Sequence, residues 1–456
     1  MRKSNGFLRR PTLLWRRYGV RETAVQIDIW RRRVATGVGA ILLALFALLF
    51  ARVCDGAQHV FNVLNNRLQW LPLLLTPLAF AVSALIMNLR LNSTRGSGIP
   101  QVIAAARAPG SPLLAPLLSL KTAAAKFFMT IVVLFGGGSF GREGPTVQIS
   151  AAIMVATHRL FRVPLTPGVI ISGGAAGVSA AFNTPLAGVS FAIEELAAAY
   201  EQRVAVLVMA AVMIAGLTSL GVAGDYVYFG STHESLSLGS ALMLAPVVGV
   251  IGGLTGGLFS RLLLLLLGGG NRWLQPIRRR PVTAAVACGL IVAVLGLATG
   301  GATFGTGYEH TRSLVEGGQQ PIWIWPAKFL ATLASSATGV PGGVFAPSLS
   351  VGAGLGDALA PLFPTLPVGA LVILGMVAHF TGVVRSPLTA VIILSETTGS
   401  HGMILPLFAT ALVADGVSTL ICRERLYHAL ARPFLAPLDN EKEHDQSPAP
   451  APNQVS

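Results

Sequence analysis

Charge is scarce in this chain. Asp, Glu, Lys and Arg make up 11% of its 456 residues, whereas a soluble domain carries about 25%. That shortage excludes a water-covered multidomain enzyme, and a hydrophobic share of 53% excludes an extended disordered chain. Cysteine is nearly missing: Cys54, Cys288 and Cys422 are scattered and odd in number, which suggests packing rather than a disulfide framework or a zinc site. Among the eight histidines no pair brackets a glutamate at helical spacing. His233-Glu234 is followed by Ser237 where a second histidine would stand, so an intramembrane zinc protease lacks its ligands. No Gly-Lys dipeptide occurs, which removes the phosphate loop of an ATP-driven pump. Period-two alternation is also lacking, and with it a porin-like barrel.

What the chain has is apolar length. Hydrophobic runs recur from about residue 34 to residue 421, too many for one anchor, and predict an all-α polytopic membrane protein. Several runs are shorter than the ~20 residues a helix needs to cross a bilayer. They are interrupted by members of a large set of 51 glycines and 28 prolines. Such breaks survive in a membrane only where the freed backbone groups line a polar cavity or are buried in protein.

The net charge of +14 is unevenly spread. Arg2, Lys3, Arg9, Arg10, Arg16, Arg17, Arg21, Arg31, Arg32 and Arg33 precede the apolar run at 34–51. A basic run could bind nucleic acid, but one that abuts a span reads as a cytoplasmic flank facing anionic lipid. Arg423, Arg425 and Arg432 flank the last run in the same way. Both termini are therefore expected in the cytoplasm of a cell whose plasma (inner) membrane holds the protein. The run at 34–51 lacks the small-residue cleavage site of a secretory signal and is expected to stay in the protein. The expected organisation is a basic cytoplasmic segment at 1–33, a membrane domain at 34–432, and a disordered cytoplasmic tail at 433–456, where acidic, proline-rich sequence prevails.

An internal repeat emerges at an offset of about 202 residues. Ala125-Lys126-Phe127 falls on Ala327-Lys328-Phe329, Thr130 on Thr332, Gly137 on Gly339, Gly141 on Gly343 and Pro145 on Pro347. Gly173, Ala176, Pro185-Leu186, Val189 and Glu194 fall on Gly375, Ala378, Pro387-Leu388, Val391 and Glu396. The repeat halves run roughly 34–222 and 241–421. Duplicated halves with breaks at matching places point to a transporter whose site lies between the repeats.

Three breaks join glycine to a helix start: Gly96-Ser97-Gly98-Ile99-Pro100, Gly141-Arg142-Glu143-Gly144-Pro145 and Gly342-Gly343-Val344-Phe345-Ala346-Pro347. A helix N-terminus carries unpaired N–H groups and about half a positive charge. Three of them converging form a site for an anion, held by partial charges and so free to leave again. A metal transporter would instead need carboxylates or histidines at these places. Lys126 and Lys328 either add positive potential near the pathway or pair with carbonyls. Arg142 is expected to matter for its backbone more than its charge, His379 to be packed, and Trp323 and Trp325 to lie at the membrane interface.

With these loops, the chain resembles the CLC family of chloride channels and chloride/proton exchangers. The likeness runs over about residues 34–432, through Ala180-Ala181-Phe182-Asn183-Thr184-Pro185 and the Glu194-Glu195 pair to Leu426-Tyr427; the appended regulatory domains of many members are not expected. The resemblance implies many tilted, partly spanning helices in two inverted repeats, and a homodimer with one pathway per subunit. It implies chloride held by the hydroxyls of Ser97 and Tyr427 and the amides of Val344 and Phe345, with Glu143 as the gate and Glu195 as the internal proton-transfer residue. No cofactor or metal, and no partner besides chloride, protons, lipid and a second copy, is implied. Members with a glutamate at the internal position tend to be exchangers, and Glu195 fits that pattern; a passive voltage- or pH-gated channel is the alternative. Serine at position 97 fits a preference for chloride, where nitrate-preferring members carry proline. For Glu143 the residues suggest a mechanism of their own: a carboxylate among anion-binding amides competes with the anion until it is protonated.

Overall fold

Proline sets where many of the helices begin. Pro72, Pro100, Pro167, Pro185, Pro281 and Pro387 each stand in the first turn of a helix, where a missing N–H costs nothing. The structure is a computed structural model that describes residues 12–196, 202–224, 228–230, 236–268, 275 and 279–445. The basic residues up to Arg10, the His233-Glu234 pair and the end of the chain from residue 446 lie outside the described residues. Helices α1 (Thr12–Arg67), α2 (Pro72–Arg90), α3 (Ile99–Arg107), α4 (Leu120–Phe135), α5 (Glu143–Leu160), α6 (Pro167–Phe182), α7 (Pro185–Phe191) and α8 (Gln202–Ala223) come first. Then follow α9 (Leu238–Leu267), α10 (Pro281–Ala298), α11 (Tyr308–Val315), α12 (Ile324–Ala337), α13 (Phe345–Leu359), α14 (Val368–Val384), α15 (Pro387–Thr398) and α16 (Ile404–Ile421). A last helix, α17 (Leu426–Asp445), has no counterpart.

The first eight helices map in order onto the next eight, and so does their packing. Helix α5 lies on α6 as α13 lies on α14; α6 meets α8 as α14 meets α16; α1 meets α8 as α9 meets α16. Two seams join the halves, α2 against α10 and α7 against α15, so each helix meets its own counterpart. Pairing of like with like is what a two-fold relation produces.

Side-chain contacts obey the same symmetry. The Glu194 carboxylate accepts from the amides of Leu388 (3.0 Å) and Thr389 (2.7 Å) at the start of α15. Its counterpart Glu396 accepts from Leu186 (3.3 Å) and Ala187 (2.9 Å) at the start of α7. Each carboxylate neutralises the positive end of the other half's helix. Helices α6 and α14 both end on a left-handed residue, Asn183 (φ 57°) and Arg385 (φ 64°). Asparagine tolerates that conformation. Arginine gives up roughly 1–2 kcal/mol there, and its guanidinium recovers contacts with Asp415, the Cys422 carbonyl and the Arg423 carbonyl.

Burial is arranged for lipid. Helices α6 and α14 are buried along almost their whole length. Where α13 crosses α14, a Cβ on Gly375 would lie 2.4 Å from the Gly352 carbonyl oxygen, so backbone touches backbone. Six helical stretches are long and apolar enough to span a bilayer: Gln26–Arg67, Pro72–Leu89, Ala205–Ala223, Gly239–Leu267, Pro281–Ala298 and Ile404–Ile421. They surround the buried helices and turn leucine and valine outward, Leu420 at 85% and Val206 at 69% exposure. An apolar exterior of this kind suits hydrocarbon, not water.

Towards the two ends of the chain the helices run further than the sequence suggests. Helix α1 runs unbroken from Thr12 through the first span. The chain is also helical past residue 433, to Asp445. Phe434, Leu435 and Leu438 pack against the core there, and apolar burial prevails over Pro433 and Pro437.

Candidate functional site

The three glycine loops meet. Gly141 and Gly343, repeat counterparts, exchange backbone hydrogen bonds of 2.7 Å in both directions. The Gly96 amide donates to the Gly339 carbonyl at 2.8 Å, and the Gly342 amide to the Gly96 carbonyl at 3.4 Å. Gly144 stands so close to Ser97 that a Cβ on it would come within 3.0 Å of the Ser97 carbonyl oxygen. A side chain at Gly141, Gly144 or Gly343 would press on the backbone of a neighbouring loop and disturb the starts of α3, α5 and α13.

Buried lysines hold two of the helix starts from behind. The Lys126 ammonium donates to the Thr94 carbonyl at 3.0 Å. Lys328 donates to the carbonyls of Thr303 (3.1 Å) and Gly305 (2.9 Å). Both lysines therefore pair with carbonyls, one of the two readings that the sequence leaves open. Each clamps the loop that leads into α3 or α11.

The candidate anion ligands gather at the start of α13. Val344 is its N-cap and Phe345 its first residue, positions whose amides have no acceptor inside the helix. The Phe345 ring is enclosed by Phe182, Phe191, Phe380 and Tyr427, with the Tyr427 centroid 6.0 Å away. The hydroxyls of Ser97 and Tyr427 are buried and have no hydrogen-bond partner among the described residues. A buried hydroxyl left unpaired costs roughly 1–3 kcal/mol, so both are suited to an acceptor that enters from outside the chain.

Glu143, the first residue of α5, is 1% exposed. Its Oε2 accepts from the Ala346 amide at 3.4 Å, so the carboxylate sits at the N-terminus of α13. Its Oε1 accepts from the Tyr308 hydroxyl. Tyr308 in turn packs edge-on against Tyr228, centroids 4.7 Å apart, and against Phe229 at 5.4 Å. Tyr308 also faces a cavity of about 690 Å³ that Arg52, Asp55, His59, Arg142 and Glu309 help to line.

Arg142 departs from expectation. Its guanidinium is buried, donates to Asp55 and to the Ala51 carbonyl of α1, and lies over the Tyr308 ring at 5.3 Å. Its charge is in full use: it ties the start of α5 to α1 and backs the tyrosine that holds Glu143.

Glu195 lies on a π-helical turn, Ala192–Leu196, at the end of α7, and is fully buried. Its Oε2 accepts from the Ser386 hydroxyl at 2.9 Å. Among the described residues Oε1 has no hydrogen bond, and the nearest basic group is His428 Nε2 at 3.9 Å. Glu194, its neighbour in sequence, points elsewhere, with both oxygens on the start of α15. His379 is packed as expected, between Phe259 and Phe329, with Nδ1 3.0 Å from the Thr255 hydroxyl.

Tyr308, Ser386 and His428 were not marked by the sequence reading. For Tyr308 a signal existed: it follows Gly305-Thr306-Gly307, the counterpart of the Ser97 loop. Ser386 precedes Pro387 as Thr184 precedes Pro185, which marks a helix start but not a contact with Glu195. His428 adjoins Tyr427 and carries no motif of its own.

Residues 78–419 match the profile described as voltage gated chloride channel. The H(+)/Cl(-) exchange transporter ClcA of Yersinia pestis bv. Antiqua (strain Angola) is 30% identical over 434 residues, covering 88% of this chain and 87% of the relative. The H(+)/Cl(-) exchange transporter ClcA of Salmonella agona (strain SL483) is 31% identical over 399 residues, 83% of each chain. Among solved structures, a slow cyanobacterial Cl−/H+ antiporter superposes with a TM-score of 0.78 at 25% identity, over 90% of this chain and 99% of the other. With inverted halves, interlocked glycine loops and these matches together, the chain belongs to the CLC family of voltage gated chloride channels and chloride/proton exchange transporters.

Proposed function

We propose that this protein exchanges chloride for protons across a membrane, with Glu143 and chloride alternating at one site. The observation that carries this reading is the Glu143 carboxylate at the amide of Ala346. A negatively charged group already rests where the end of α13 offers an anion its partial charge. Chloride would take the amides of Val344 and Phe345 and the hydroxyls of Ser97 and Tyr427. Protonation removes the charge of Glu143, weakens its hold on the amide, and opens the site to chloride. Anion and proton movements are then linked, because each cycle of the side chain carries a proton. Glu195, buried behind Ser386, would serve protons on the other side. The exchange activity of the relatives supports the choice of ions.

The orientation follows from charge. Arg31 of α1 donates to the carbonyls of Phe161 and Arg162, while Arg142 holds the other end of α5 to Ala51. Helices α1 and α5 are therefore antiparallel, and Glu143 lies at the end away from the basic flank. If Arg31, Arg32 and Arg33 face the cytoplasm, Glu143 faces outward, and the cavity beside Tyr308 is its outer mouth. Both termini are then cytoplasmic in a plasma (inner) membrane. The family resemblance supports a homodimer, with one pathway per subunit.

Liposomes loaded with chloride and diluted into low-chloride buffer provide the test. Chloride efflux is expected to drive protons inward against their gradient, seen as alkalinisation of the outer medium. Chloride efflux without proton movement would instead make the protein a passive channel.

The gate has a holder that can be removed alone. Tyr308→Phe keeps the ring against Tyr228 and Phe229 and deletes only the hydroxyl on Glu143. A hydrogen bond to a charged group contributes about 1.5–3 kcal/mol, part of which water recovers. Chloride, freed of a strengthened competitor, is expected to bind about fivefold more tightly by calorimetry. Unchanged binding would mean that the hydroxyl does not hold the gate.

A further inference from the structure

Protons must reach Glu195, and Glu195 is closed off from the surface. Its carboxylate is fully buried. One oxygen is occupied by Ser386, and the other faces His428 Nε2 across 3.9 Å without a hydrogen bond. The His428 side chain is 27% exposed. It stands in the first turn of α17, beside the exposed Arg423 and Arg425 that flank the last span. Imidazole changes charge near neutral pH, so this ring can be loaded and unloaded by water.

The obvious competitor is excluded by its own contacts. Glu194 adjoins Glu195 in sequence, yet its Oε1 accepts from the Leu388 amide, and its Oε2 from both the amide and the hydroxyl of Thr389. Releasing it would uncap α15 and leave three donors without that acceptor. Burial first, and then the cations Arg425 and Arg107, lower the His428 pKa, while the Glu195 backbone raises it. Arg425 is itself engaged with the Glu194 carbonyl at 3.2 Å, and neither arginine gives up a proton near neutral pH.

We infer that His428 relays protons between cytoplasmic water and Glu195, an inference that rests on the reading of Glu195 as the internal proton-transfer residue. The neutral ring takes a proton from a hydronium ion at the entrance, leaving water and an imidazolium. Nε2 then gives its proton to Oε1 of the Glu195 carboxylate, leaving a neutral ring and a carboxylic acid. Hydrogen-bond distance for this step needs the pair to close by about 1 Å, within the reach of a side-chain rotation. Outward transfer runs the same steps in reverse.

The test compares His428→Asn, His428→Gly and Glu195→Ala with the wild type in liposomes, reading chloride and proton fluxes together. His428→Asn is expected to slow proton flux by about 100-fold, the lower end of the range for loss of a positioned acid–base group. Chloride is expected to keep moving, so the ratio of chloride to proton rises. Millimolar imidazole is expected to restore proton flux to His428→Gly and not to Glu195→Ala, an outcome that packing alone would not give. Chloride binding by calorimetry checks that the neighbouring Tyr427 has kept its place, and His428→Gln replaces the asparagine variant if it has not. Wild-type proton flux and ratio in the His428 variants, with proton transport lost in Glu195→Ala, overturn the relay alone. Proton transport retained in Glu195→Ala overturns the reading of Glu195 beneath it.

Discussion

Glu195→Ala is expected to abolish proton transport, by about 100-fold or more, while chloride continues to cross. Alanine offers no site for a proton, and the adjacent carboxylate, Glu194, is committed to the start of α15. The groups proposed to hold chloride are left untouched. The substitution does strip the Ser386 hydroxyl of its acceptor, which costs roughly 1–3 kcal/mol if water does not replace it. Glu195→Gln controls for this: the amide oxygen still accepts from Ser386 but cannot ionise, and proton transport is expected to be lost as well. Paired flux recordings under a chloride gradient decide the matter, and proton flux at the wild-type rate would remove Glu195 from the path.

Glu143→Ala acts at the other end and is expected to give chloride flux that is uncoupled from protons and insensitive to pH. The Ala346 amide loses the carboxylate it holds at 3.4 Å, so chloride meets no internal competitor. Chloride is expected to bind about tenfold more tightly, the worth of roughly 1.4 kcal/mol. Arg142 keeps its bonds to Asp55 and Ala51, so the start of α5 stays anchored and the fold survives. Flux measured from acidic to neutral pH checks this result. A variant that remained coupled and pH-dependent would show that some other group gates the pathway.

These expectations divide by how far apart the participating residues lie in the chain. The three glycine loops, the glutamates and the repeat offset were legible because glycine, proline and apolar runs act on their immediate surroundings. Gly141 and Gly343 are marked by the repeat, and their mutual hydrogen bonds follow once the halves face one another. For Arg142 the complementary reason applies. Its local role as N-cap of α5 was visible, but its partners Asp55, Ala51 and Tyr308 come from two other helices. Lys126 and Lys328 are legible as a pair, while their contacts with the loops before α3 and α11 come only from the tertiary structure. The tail beyond residue 433 read as disordered from its prolines and charges, yet three apolar side chains find a core that no local pattern describes.

The sequence by itself determined the membrane class, the places where helices break, and the supply of amide ends and buried acids from which a site is made. Those properties depend on composition and on backbone preferences that reach only a few residues along the chain. Only the tertiary structure decided which groups meet: Tyr308 at Glu143, Ser386 and His428 at Glu195, and Glu194 and Glu396 on each other's helices. Each of these contacts joins residues more than 160 positions apart, and it exists because two inverted halves interlock at an angle that packing, not local propensity, selects.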